Sequence, residues 1–374
     1  MRMILLQIAR AAYELGVLPL MLGTLSAQKA HDQALHLCAW FDGHPALLEM
    51  LRGTTLPVRA VSVGGVDLPS PLILAAGFLK GTGFSSERDA LEAVQRGVNI
   101  VPGWHSIPTL VGAVEFGSFT RYPRLGNEGT TLWRNVGGTR SLQNRVGLRN
   151  SGAKAAAEFL ALHRPEGVFG INIAVSPGVS DLAQETAEVM EALAAFLERG
   201  VHPVWFTLNL SCPNTEDDST GNQTEDKAHH LCSALVPQLD GIPLWVKISP
   251  NLSLVQRSAL MRVFAETGVR AVVATNTLPQ AAPDHAMLTA GVSGNLLFEA
   301  ALNTVRSLLC EKEHQGYPVD VVACGGVLDG ATYHAYRQLG VQAVQYWSAL
   351  VYRGPLAAAL ILNEAEQLWT SLKK

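Results

Sequence analysis

Four short stretches of this chain set amides, hydroxyls, a thiol and one cation where an apolar run gives way to turn residues. "GINIA" carries Asn172, "NLSCPNT" carries Asn209, Ser211, Cys212 and Asn214, "VKISP" carries Lys247, and "ATNT" carries Asn276 and Thr277. Each Asn offers two donors and an acceptor oxygen, so the set suits a flat polar ligand with carbonyl and N–H edges of its own. A single Asn at such a place is usually an Asx turn or a helix cap. Four at corresponding places argue for a ligand instead. No pair of carboxylates accompanies them, which leaves glycosidase and metal-hydrolase chemistry unsupported. Cys212 alone would ordinarily be an inert buried thiol, but it sits in a polar turn before Pro213, where packing gives little reason for it.

Lys247 is the sharpest of these signals because it interrupts the apolar run "LWVKIS". A buried ammonium is costly unless an anion or a strongly polar group meets it. The structural explanation would be a carboxylate on a neighbouring strand, and the apolar runs that read as strands carry almost none. A bound cofactor that becomes anionic answers the need. Later come "GVSGN" with Ser293 and Gly294, "ACGGV" with Gly325 and Gly326, and "YWSAL" with Trp347 and Ser348. Glycines and hydroxyls at such places form a phosphate cradle, since bare backbone N–H groups can approach the oxygens.

The elements that must position these residues follow a repeated beat. Eight short apolar runs, "LILAAG" (72–77), "NIVPGW" (99–104), "VFGINIAV" (168–175), "WFTLNLS" (205–211), "LWVKISP" (244–250), "AVVATN" (271–276), "VDVVACGG" (319–326) and "AVQYWSAL" (343–350), alternate with segments of helical periodicity. Near-continuous apolar strands joined by helices demand a covered parallel sheet, and a count of eight predicts an α/β fold of the (β/α)8 TIM-barrel type. An open doubly wound sheet is the alternative, but "AAGFLKGTG" only loosely approximates the glycine fingerprint it needs. The connection from Trp104 to about Ser151 is too long for a simple loop and predicts a lid or an inserted small sheet. Ahead of the barrel lie a helix-like region and a short β-like piece, "PVRAVSVGGVDL", so the chain divides into an N-terminal helical extension, 1–52, and a barrel, 53–374.

Among the 374 residues, 48% are hydrophobic and 16% charged, which suits a large buried core. A formal charge of -4 gives no reason to expect nucleic acid as a partner. The five cysteines show no CxxC pair and no His at ligand spacing, so no metal site is indicated and the thiols read as reduced, in a cytosolic compartment. The first 23 residues are apolar but broken by Arg2, Arg10 and Glu14. A bilayer span would bury Arg10 and Glu14, and no clear small-x-small cleavage site follows, so spanning and a signal peptide are both disfavoured. Two readings stand: a helix docked on its own domain, or an amphipathic helix in a membrane interface.

Taken in order, "LAAGFLKG", "EFGSFT", "NRVGLRNSGA", "GINIA", "NLSCPNT", "VKISPNLS", "ATNT", "GVSG", "ACGGV" and "ALVYRGP" resemble the dihydroorotate dehydrogenase family, FMN enzymes of pyrimidine synthesis, over roughly residues 55–360. The resemblance implies Cys212 as the base that removes the C5 proton of dihydroorotate while hydride leaves C6 for flavin N5. It implies Asn144, Asn209, Asn214, Asn276 and Thr277 around the orotate ring. Lys247 and Asn172 are implied at the flavin ring, Lys80 close by with Ala76 and Gly77, and Ser293, Gly294, Gly325, Gly326, Trp347 and Ser348 around the remainder of the FMN. Lys247 would stabilise negative charge at the reduced flavin's N1 and O2 edge.

The chain mixes two branches of that family. Its N-terminal region, with "KAHDQALHL", resembles the quinone-binding extension of the membrane-associated class, whereas a catalytic cysteine belongs to the soluble class. The expected acceptor is a quinone, with peripheral contact on the cytoplasmic face of the inner membrane. Leu79 and Gly81 stand where the family has polar residues beside the lysine, Leu148 replaces a phenylalanine, Trp347 a tyrosine, and "EDDSTGNQTEDK" replaces the usual loop after Thr215. These departures leave open an FMN oxidoreductase acting on another dihydropyrimidine or cyclic amide. From a different class, a non-catalytic flavin-binding or membrane-surface protein is the third reading, although a retired site would need neither Lys247 nor the amides.

Overall fold

The computed structural model describes residues 2–52, 59–211 and 223–372. Eight parallel strands close into a barrel in chain order: Leu72–Leu74, Ala113–Phe119, Phe169–Ala174, Trp205–Asn209, Leu244–Ile248, Ala271–Ala274, Asp320–Cys324 and Val344–Tyr346, the last pairing the first through Val344↔Leu72. Helices follow most strands and cover the outside, so residues of all the strands are buried on both faces. The (β/α)8 barrel is therefore the observed architecture, and the open sheet is excluded.

One strand lies elsewhere than expected. The run at 99–104 is not a strand; the second barrel strand is Ala113–Phe119, "AVEFGSF". The reason is visible at Asp42, near the end of helix Ala27–Asp42, whose carboxylate accepts from Asn99 Nδ2 (2.9 Å), Gly103 N (2.7 Å), His105 N (3.2 Å) and Ser106 N (2.9 Å). Backbone donors that would have joined a ladder are drawn around a carboxylate, and Pro102 has none to give. The turn then starts the helix Ser106–Val111, which leads into the true strand.

The floor of the barrel is closed by the antiparallel hairpin Val61–Val63 and Val66–Leu68, tied on by Trp245 Nε1 donating to Gly64 O at 3.0 Å and Gly64 N donating to Asp320 Oδ2 at 2.7 Å. At the opposite mouth stands a four-stranded antiparallel sheet, ordered Leu278–Ala282, His285–Gly294, Ser141–Asn144, Leu132–Arg134. The long connection thus supplies two strands of an inserted sheet, as its length predicted, and the segment after the sixth barrel strand supplies the other two.

The N-terminal helices lie against the barrel. A π-helical turn, Ala12–Val17, presents Tyr13 and Glu14 inward: Tyr13 OH donates to Val351 O at 2.8 Å, and Glu14 Oε1 accepts from Arg353 Nε at 3.1 Å. Burial pushes the Tyr13 phenol up to about 12. Arg353, itself buried, also grips both oxygens of Glu364 at 2.6 and 2.8 Å, and Arg10 reaches Glu14 at 3.0 Å. The charges that argued against a bilayer span are thus the ones that fasten the extension to its own domain. The other face is apolar and open, with Ile8 60%, Leu15 80% and Leu20 65% exposed. Docking and an outward apolar face coexist. Among the described residues no helix is long and apolar enough to cross a membrane.

His31, on the helix Ala27–Asp42, is held at about 4 by burial, with Lys80 and Arg149 adding to the effect and Asp32 opposing it. An unfolded imidazole titrates near 6.5, so between those values the unfolded chain binds a proton that the folded chain does not. The stability contributed by neutral His31 is complete above pH 6.5 and is lost as pH falls toward 4. His31→Asn is expected to flatten the fall in unfolding free energy over that window; parallel curves for variant and wild type would place His31 in water. Asp42→Ala, which strands four donors, is expected to lower unfolding free energy by about 1–3 kcal/mol, read from denaturant midpoints. An unshifted midpoint would mean that the turn holds without its acceptor.

Candidate active site

The strand ends and the small sheet surround a cavity of about 930 Å³ that continues beneath the N-terminal helices. Asn144, Asn172, Asn209, Lys247, Asn276 and Thr277 line it, as do Ala76, Gly77 and Lys80 after the first strand, and Ser293, Gly294, Gly325, Gly326, Trp347 and Ser348 on its far side. The structure brings all of these sequence-singled residues to one place. Cys212 and Asn214 lie outside the described residues, directly after Ser211.

The amides are fixed rather than free to rotate. Asn209 Nδ2 donates to Ser118 Oγ at 3.2 Å, and its Oδ1 accepts from Ser211 N at 3.1 Å. Asn276 Nδ2 donates to Ser211 O at 2.8 Å and approaches Asn209 Oδ1 at 3.3 Å, while Asn276 Oδ1 accepts from Thr277 N at 2.8 Å. The ends of the fourth and sixth strands are therefore locked to each other across the barrel mouth. Asn144, on the small sheet, donates to Gly291 O at 3.4 Å.

Asn172 differs. It is fully buried, and neither its Oδ1 nor its Nδ2 has a protein partner; the buried Thr277 Oγ1 is also unmatched. Buried amides are almost always satisfied, so an unmatched pair of polar atoms facing a cavity indicates a ligand that supplies a donor and an acceptor. Across the cavity, Ser348 Oγ and Ser293 Oγ are 3.0 Å apart, beside Gly294 at the start of the helix Asn295–Gln315. Gly326 has φ +69, and a Cβ there would meet Phe298 Cβ at 2.5 Å. Only a glycine lets the chain pass that close, leaving bare N–H groups at the cavity wall. A flat ring with an edge of acceptors and donors, carrying a phosphate at its other end, fits this donor set.

Lys247, 6% exposed, does not stand alone as the apolar runs implied. Its Nζ donates to Gln345 Oε1 at 3.1 Å, and Gln345 Nε2 donates to Glu115 Oε2 at 2.9 Å. Glu115 is a buried strand carboxylate, which corrects the expectation that the strand cores hold almost none. Glu115 and Ser118 both lie on the second strand, Ala113–Phe119, which follows the strand-like run at 99–104 rather than coinciding with it. The signal was present: a charge interrupting "AVEFGSF", the same pattern that marked Lys247. Cys324, beside Lys247, is a further unassigned lining residue, and burial pushes its thiol up.

Three departures from the family pattern have structural reasons. Leu79 is buried in the main core, and Gly81, at φ +80, has Ile100 O where a side chain would begin. Trp347 packs edge-on to Phe78, with ring centroids 6.4 Å apart, where the barrel-mouth part of the cavity meets the part under the N-terminal helices.

The sequence profile described as dihydroorotate dehydrogenase matches residues 58–368. Among curated relatives, a dihydroorotate dehydrogenase (quinone) of Cereibacter sphaeroides is 32% identical over 364 residues, covering 92% of this chain and 90% of its own. That of Sphingopyxis alaskensis is 29% identical, covering 84% and 83% respectively. The crystal structure of DHODH from Eimeria tenella in complex with ferulenol superposes with a TM-score of 0.72 at 22% identity, covering 92% of each chain, which speaks to the fold. With the family profile spanning most of its length and quinone-type relatives matching nearly end to end, this chain belongs to the dihydroorotate dehydrogenase family.

Proposed function

We propose that the chain is an FMN-dependent dihydroorotate dehydrogenase, oxidising (S)-dihydroorotate to orotate in pyrimidine (UMP) synthesis and passing the electrons to a quinone. The observation that carries this reading is the unmatched amide of buried Asn172, facing the same cavity as the Lys247 ammonium and the serine–glycine cradle. A bound flavin supplies the acceptor for the hydride that leaves C6 of the substrate. Lys247 puts positive charge where electron density accumulates, in a site shielded from water. Asn172 and Lys80, with the backbone of Ala76 and Gly77, hold the ring; Trp347 walls it; Ser293, Gly294, Gly325, Gly326 and Ser348 hold the phosphate.

Asn144, Asn209, Asn214, Asn276 and Thr277 orient the substrate ring, and Cys212 takes the proton from C5. A thiol with an ordinary pKa of about 8.5 has an appreciable thiolate fraction near neutrality, so Cys212 needs less activation than a hydroxyl base. The part of the cavity beneath the N-terminal helices is lined by Met21, Leu25, Ala34, Leu35 and Phe41, an apolar passage suited to a quinone ring and tail. The outward apolar face of those helices supports peripheral contact with the cytoplasmic face of the inner membrane.

Anaerobic addition of dihydroorotate to the yellow holoprotein is expected to bleach it, with a rate that climbs with pH and levels off once the thiol is ionised. Cys212→Ala should slow that bleaching about 10²–10⁴-fold. A variant as fast as wild type, or a pH-independent rate, would remove Cys212 from the chemistry; no bleaching at all would point to a different dihydropyrimidine or cyclic amide. Ala34→Phe, which fills the passage, is expected to slow reoxidation by a quinone at least about tenfold, the typical effect of misplacing a reactant, while leaving bleaching unchanged. Equal loss of both steps would separate the passage from the acceptor.

A further inference from the structure

A polar column runs through the apolar barrel from its floor to the cavity. Trp205 Nε1 approaches Glu115 Oε1 at 3.4 Å, Glu115 Oε2 accepts from Gln345 Nε2 at 2.9 Å, and Gln345 Oε1 accepts from Lys247 Nζ at 3.1 Å. All four residues are buried, with Glu115 1% and Gln345 0% exposed. Glu115, Gly170 and Trp205 share one register row across the second, third and fourth strands. A Cβ on Gly170 would strike the Trp205 ring, so the missing side chain opens the path by which the indole reaches past the third strand to Glu115.

The order of groups in this column is chemically directed. An amide between a cation and an anion can lie only one way, oxygen toward the ammonium and NH₂ toward the carboxylate. Gln345 is therefore locked, and it fixes the line along which Lys247 spends one of its three donors. Neither oxygen of Glu115 has a basic side chain among its hydrogen-bond partners; both face neutral N–H groups. A carboxylate buried without a contacting cation is retained at a cost, and a barrel floor could be filled more cheaply by apolar side chains. Its charge is opposite to that of Lys247 and is linked to it through one amide.

We propose that Glu115 is a positioning residue: acting through Gln345, it aims the Lys247 ammonium at the cavity and offsets part of the positive potential that Lys247 presents there. This rests on the cavity being a flavin site. The offset keeps the bound cofactor from being too readily reduced, so that it can still give its electrons to the second substrate. Orientation and offset are separable. In Glu115→Gln the amide oxygen still accepts from Gln345, so the aim is kept while the negative charge is removed. In Gln345→Met both charges remain while the link between them is cut.

The test is the equilibrium of the bound FMN with a reference dye under slow anaerobic reduction, run on wild-type and variant holoproteins. At the wild-type midpoint, Glu115→Gln is expected to raise the ratio of reduced to oxidised flavin on the order of tenfold, a shift of about 30 mV for a two-electron couple. Gln345→Met is expected to move the ratio the other way. Opposite signs are the signature, because a filler of the barrel floor would lower the melting temperature of both variants and leave the ratio alone. Unchanged ratios, or shifts of the same sign, would overturn the proposal. Should Glu115→Gln fail to fold, the direction seen in Gln345→Met decides alone. A wild-type protein that refuses FMN would fail the flavin reading itself, whereas a yellow wild type with indifferent variants fails only the column.

Discussion

An ammonium group enclosed by apolar strands constrains everything around it, because water is not there to solvate it and an uncompensated charge would favour unfolding. In this barrel the answer to Lys247 comes from two sides. Below, Gln345 and Glu115 supply an acceptor and a distant counter-charge. Above is the cavity, whose other walls carry the unmatched amide of Asn172 and the serine pair. A protein that needed Lys247 only for its fold would place the carboxylate against it. Here an amide holds the two charges apart, which leaves part of the ammonium's field directed at whatever occupies the cavity.

The same logic explains why the other polar groups at the strand mouth are amides. Asn209 and Asn276 hold each other across the mouth, so their orientation is decided before any ligand arrives. Preorganised neutral dipoles can bind both edges of a cyclic amide without adding charge to a site already containing a cation. The small antiparallel sheet brings Asn144 and Ser293 to the same mouth from opposite ends of one strand pair, since Gly291↔Asn144 and Gly294↔Ser141 share a register. One inserted element thus brings an amide and a hydroxyl to the same cavity.

Much of this was legible in the chain. The barrel count, the amides at the strand ends and Lys247 followed from strands that bury both faces and therefore stand out as apolar runs with conspicuous exceptions. The second strand was not legible, and the reason is particular: Glu115, Gly117 and Ser118 dilute its apolar signal, while 99–104 looks like a strand but gives its donors to Asp42, more than fifty positions earlier. Long-range acceptors of that kind leave no local trace. Nor does the pairing of Ser141–Asn144 with His285–Gly294, which joins segments separated by most of the barrel. A charge interrupting an apolar run marks Glu115 in the chain, but linking it to Lys247 through Gln345 requires the fold.

The N-terminal helices raise the question of why a segment with so much outward apolar surface is bound so firmly. Arg353 lies buried between Glu14 and Glu364, and removing any member would leave an uncompensated charge, so the extension and the last barrel helices form one unit. The exposed Ile8, Leu15 and Leu20 face away from that clamp. A segment that merely anchored the protein would function on a flexible tether. Rigid attachment is needed when the segment is also a wall, and here it roofs a cavity that Trp347 also lines. The part of the cavity beneath these helices is thereby given a fixed shape ending at the strand mouth, with His31 kept neutral by its burial and by the neighbouring cations. The clamp thus sets the alignment between the outward apolar face and the site that holds Lys247.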